Sequence, residues 1–67
     1  MKHMIDLPTS EIERRITEHI HDQTHRSILR RRLLDGVKYE PLAEEFGLSV
    51  RGTKDICYRG IAKLKTE

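Results

Sequence analysis

The chain has 67 residues, of which 36% are apolar, 36% are charged and only three (Tyr39, Phe46 and Tyr58) are aromatic. Such a chain suits one small domain with a modest core and leaves no room for a large enzyme site. A single cysteine, Cys57, excludes an intramolecular disulfide and a cysteine zinc site, and no apolar run approaches the ~18 residues of a membrane span.

The opening residues 1–8, MKHMIDLP, lack the apolar centre of a signal peptide, so a cytoplasmic protein with no membrane partner is expected. The net charge of +2 is uneven along the chain. Residues 26–65 hold ten Lys/Arg against five Asp/Glu, whereas residues 1–25 hold three against five. A basic half is the footprint expected of a protein that sits on phosphates, although charged residues also solvate small helical domains.

Four helices account for nearly all of the chain, an all-α fold in one domain over residues 1–67. The first is predicted over residues 9–21, with Thr9 or Ser10 as cap and Glu13 three residues after Ser10 in a capping-box pattern. Ile12, Ile16 and Ile20 recur every four residues along it and make it amphipathic. They either complete the domain's own core or form the seam of a homodimer. The second helix is predicted over residues 22–35, capped by Asp22, carrying Ile28, Leu29, Leu33 and Leu34, and stopping at Asp35-Gly36. The third runs over residues 39–46, with Pro41 tolerated in its first turn.

Gly47-Leu48-Ser49 then forms a tight turn. Gly47 supplies the left-handed position that ends the third helix, and Ser49 caps the fourth, which starts at Val50 and runs to Leu64 or Lys65. Two short helices joined this way make a helix-turn-helix over residues 39–65, in which the second helix can enter a DNA major groove. Steps of 100° place Val50, Thr53, Cys57, Gly60, Ile61 and Leu64 on its core side, with Ile56 at the edge. Arg51, Gly52, Asp55, Tyr58, Arg59 and Ala62 gather on the opposite arc, flanked by Lys54 and Lys65. The predicted core is Ile28, Leu29, Leu33, Leu42, Ala43, Phe46, Leu48, Val50, Ile61 and Leu64.

Over residues 28–64 the chain resembles the fourth conserved region of bacterial sigma factors and the DNA-binding domains of LuxR-type regulators. The resemblance rests on Ile28-Leu29, Arg32, Asp35-Gly36, Tyr39-Glu40, Leu42-Ala43, Gly47-Leu48-Ser49 and the stretch from Ile61 to Leu64, in the family's order and spacing. It implies a stand-alone sigma-like transcriptional regulator that binds double-stranded DNA, since the chain has no room for the other regions of a sigma factor. It also implies RNA polymerase as a candidate partner, so a protein-interaction module is the alternative. Lys38 stands where the family usually has a Ser or Thr cap. Among the positions where sigma-type recognition helices carry long hydrogen-bonding side chains, this chain has Gly52 and Asp55 beside Arg51 and Lys54.

The DNA-binding set expected on this basis is Arg51, Asp55, Tyr58 and Arg59 near bases and flanking phosphates, with Lys54 at the edge. Lys38, Tyr39 and Ser49 serve as backbone anchors. The run Arg30-Arg31-Arg32 points in three directions on a helix, and Arg32 is expected to tie helices through Glu44 or Glu45. His19, His21 and His25 cluster between the first two helices, and the last two have a zinc-compatible spacing. No cysteine reinforces it, so local polarity is the simpler account and no metal or other cofactor is expected. Cys57, on the core side, reads as an inert buried thiol, and no nucleophile has an evident base, so an enzyme is not expected.

Overall fold

A computed structural model describes residues 7–65; residues 1–6, where a leader was sought above, lie outside the described residues. These fold into four α-helices with no strand among them: α1 (Thr9–His19), α2 (Gln23–Leu33), α3 (Tyr39–Phe46) and α4 (Val50–Lys65). The first two helices end two residues short of the predicted limits, and α3 and α4 match theirs.

The start of α1 departs from expectation. No side chain caps it; Pro8, at φ −61° and ψ 153°, makes the entry, and its carbonyl accepts from the N–H groups of Glu11 and Ile12 at 3.0 Å each. Thr9 and Ser10 are already helical, and the carboxylate expected to complete the capping box, Glu13, accepts instead from Arg30 at 2.8 Å. The proline ring fixes the dihedral that a cap needs, one residue before a hydroxyl can supply it. The other end of α1 is closed by Arg26, which donates to the carbonyls of Thr17, at 2.7 Å, and Ile20.

Asp22 caps α2 as predicted, its Oδ1 accepting from the His25 N–H at 3.1 Å. That bond holds its carboxyl below the usual range. Gly36, at φ +72°, turns the chain out of α2. Gly47, at φ +67°, ends α3 in a Schellman arrangement, with Leu48 N–H on the Ala43 carbonyl at 2.8 Å and Gly47 N–H on that of Glu44 at 3.2 Å. Ser49 then caps α4: its Oγ accepts from the Gly52 N–H at 3.0 Å, while its carbonyl accepts from the Thr53 hydroxyl at 2.9 Å.

Helix α4 packs against all three others, and its buried Thr53, Cys57, Gly60, Ile61 and Leu64 are the predicted core side. Ile12, Ile16 and Ile20 join Ile28, Leu29, Leu42, Cys57, Ile61 and Leu64 in one core cluster. The isoleucines of α1 therefore serve the domain's own core, and a dimer through this helix would have to use its outer face. Leu33, Phe46 and Val50 are only partly buried, and Leu48 is exposed, a correction to the predicted core. Leu48 lies where the chain reverses, between one short helix and the first turn of the next, so no third element covers it. Burial pushes the Cys57 thiol up, which keeps it protonated and unreactive.

Candidate nucleic-acid interface

The Schellman turn and the Ser49 cap fix the start of α4 from both sides, and the buried face of the helix fixes its rotation. Together they present Arg51, Lys54, Asp55, Tyr58 and Arg59 to solvent. Ser49, Arg51, Gly52, Lys54, Asp55 and Tyr58 line one open depression over the first two turns of the helix. Five of the eight predicted residues thus share one surface. Arg59, the residue after Tyr58, lies outside the depression, its side chain 78% exposed and its Nε 3.3 Å from Asp55 Oδ2. Asp55, expected near the bases, is therefore engaged within its own helix, although such an exposed pair opens readily.

Tyr39 ties the start of α3 to this surface. Its ring meets that of Tyr58 edge to face, with centroids 6.1 Å apart and an interplanar angle of 79°. Lys54 Nζ lies 5.6 Å from the Tyr39 centroid, and the Arg32 guanidinium lies 4.2 Å from it, both close enough for cation–π attraction. Burial raises the Tyr39 phenol, so the ring stays neutral beside its cations. Tyr39 thus packs against both Lys54 and Tyr58 of α4. Lys38, just before it, is exposed, and no side chain caps α3. Glu40 in the first turn of α3 opposes an anion there.

Much of the basic charge of residues 26–65 is occupied inside the domain. Arg30 pairs with Glu13 of α1, Arg31 with Glu45 of α3 at 2.9 Å and Asp35 at 3.0 Å, and Arg32 donates to the Val37 carbonyl at 3.0 Å. The three arginines do point three ways. The helix tie to Glu45 comes from Arg31, however, and not from Arg32 as expected, because Arg32 turns to the corner after α2 and to the Tyr39 ring. Glu45 and Asp35 hold the Arg31 guanidinium still more firmly protonated. Arg32 is the residue missed at this surface. The sequence signal for its contact is an aromatic seven positions on, across a glycine turn whose path is not readable from spacing.

Beyond the far edge of the surface, where Asp55 and Arg59 face the α1–α2 connection, an open groove runs past His21, Asp22 and His25 to Lys63. His19 does not line it, and among the described residues no group of three His, Cys, Asp or Glu side chains could hold a metal ion. No described helix is long and apolar enough to cross a membrane. Comparison of the chain with protein-family models, curated proteins and solved structures gives no match.

Proposed function

We propose that this domain binds double-stranded DNA by laying α4 in the major groove, as a small sigma-like regulator of transcription in the cytoplasm. The observation that carries the reading is the exposed arc of α4. It follows a tight turn capped on both sides, it bears Arg51, Lys54, Tyr58 and Arg59, and its opposite face is buried. A helix of this diameter fits a groove about 12 Å wide. Arg51 offers a guanidinium fork for guanine or phosphate, and Tyr58, 49% exposed, offers a hydroxyl and a ring edge. Gly52 offers no side chain, so sequence preference rests on Arg51, Tyr58 and DNA shape.

The test is fluorescence anisotropy with a pool of random duplexes from 50 to 200 mM salt. Salt-sensitive binding is expected, and Arg51→Ala/Arg59→Ala should weaken it by roughly tenfold or more at 50 mM salt. Circular dichroism must show the variant folded. Absence of binding by the native chain at ~100 µM protein would overturn the reading.

One observation favours a second reading, docking on RNA polymerase or another regulator: of the positions facing outward on α4, one is a glycine and one an acid already paired with Arg59. Retention of a polymerase complex by a chain that binds no DNA would select it.

A further inference from the structure

We infer that Arg32 is a positioning residue for the DNA-facing arc: its guanidinium fixes the Tyr39 ring against Tyr58 and Lys54, and so holds these two α4 side chains in the pose that meets the duplex, without itself touching DNA. The inference rests on the DNA-binding reading. It starts from the difference between Arg32 and its neighbours. Arg30 and Arg31 pair with carboxylates of α1 and α3, whereas Arg32 grips the entry to α3 at two points. Its Nη1 donates to the Val37 carbonyl at 3.0 Å, and its Cζ lies 4.2 Å from the centroid of the Tyr39 ring, two residues further on. A planar guanidinium can lie over a ring with its face while its edge donates a hydrogen bond; an ammonium has no such fork. Arg32 and Tyr39 are both partly buried, and Tyr39 packs against the core. The ring is therefore held from the core, from the corner after α2 and by the cation over it.

From the ring the effect passes to α4. Tyr58 meets Tyr39 edge to face at 6.1 Å between centroids, and Lys54 Nζ lies 5.6 Å from the same ring. Lys54 and Tyr58 stand four residues apart, and hence on one flank of the helix. Both line the open depression over the first turns of α4, and neither Arg32 nor Tyr39 does. The caps and the buried face set the axis and rotation of α4, but they leave the side-chain torsions of its exposed residues open. Tyr58 is 49% exposed and Lys54 is exposed, so without a neighbour each would sample several rotamers and lose that freedom on binding. Contact with one fixed ring removes part of this loss before the duplex arrives. For two side chains the gain is roughly threefold to tenfold in affinity.

Two readouts on the full chain test it: near-ultraviolet circular dichroism of the free protein, and the duplex titration at about 50 mM salt. Tyr39 and Tyr58 are the only tyrosines and the chain has no tryptophan, so the near-ultraviolet tyrosine band reports on this pair. Arg32→Met, with its far-ultraviolet helix signal intact, should lose much of that band and bind duplex roughly threefold or more weakly. The same substitution made in Lys54→Ala/Tyr58→Ala should weaken binding by less than about twofold, because the side chains through which Arg32 acts are gone. Arg32→Lys keeps the charge but not the planar fork. It is the second variant should Arg32→Met not fold, and it should shift both readouts in the same direction. An unchanged tyrosine band, an unchanged affinity, or a loss that reappears in full in the Lys54→Ala/Tyr58→Ala background would overturn the inference while leaving DNA binding intact. Failure of the native chain to bind would instead overturn the DNA-binding reading beneath it.

Discussion

Gly60 shows how one missing methyl sets the distance between two helices. A Cβ built there would lie 2.6 Å from one Leu29 methyl and 3.0 Å from the other, and Leu29 is fully buried in the core. Gly60→Ala gains up to ~1 kcal/mol of helix propensity. It must also displace a fully buried side chain, which costs about 1–3 kcal/mol. Overpacking wins, and thermal melts should show Tm lowered by roughly 5–10 °C. An unchanged or raised Tm would mean that Leu29 can swing aside. This close approach was legible in the sequence, because a glycine on the apolar side of a helix has few other uses. The partner of the Arg30–Arg32 run was not: the residue meeting Glu45 depends on the crossing of α2 and α3, and one step along a helix rotates a side chain by 100°. At the proposed interface, the exposure of Arg51, Tyr58 and Arg59 followed from periodicity. The cation–π stack of Arg32 on Tyr39 did not, because it spans the turn at Gly36.

At the scale of the element, the ends decide where each helix lies, and locally encoded ends were legible. Asp22, Gly47 and Ser49 act within three to five residues of themselves, and each does what its residue type and position imply. The start of α1 was not legible because Pro8 competes with the two hydroxyls that follow it. The surface of α1 carries a pH dependence instead. Glu11 accepts from Arg14 and, at 2.8 Å, from Arg15, and these bonds lower its pKa from 4.5 to about 2. A carboxyl lowered by folding stabilises the native state fully above its unfolded value and loses that contribution as pH falls towards its folded value. Asp22 is shifted in the same direction. Tm should therefore fall between about pH 5 and 2, and fall less steeply in Glu11→Gln, which removes one of the two groups. Parallel declines in the two proteins would assign the acid sensitivity elsewhere.

For the molecule as a whole, α1 is the element that the sigma-like resemblance leaves out, since that resemblance begins at residue 28. Yet Ile12, Ile16 and Ile20 supply three of the ten buried apolar residues of the core, and Arg15 of α1 donates to the Leu64 carbonyl in the last turn of α4 at 2.9 Å. Burial of an isoleucine contributes about 1.5–3 kcal/mol, so the three together contribute roughly 5–9 kcal/mol as an upper estimate. A chain of this length has a total stability of about 3–10 kcal/mol. The two ranges overlap, which makes α1 indispensable to the fold and not an accessory to a self-sufficient helix-turn-helix. A chain starting at Asp22, which keeps the cap of α2, should accordingly lose the cooperative thermal transition seen by circular dichroism. It should also lose duplex binding, although every proposed DNA contact on α3 and α4 remains in it. A cooperative melt in the shortened chain would show that α2, α3 and α4 form a complete core by themselves, and would free the outer and inner faces of α1 alike for a partner.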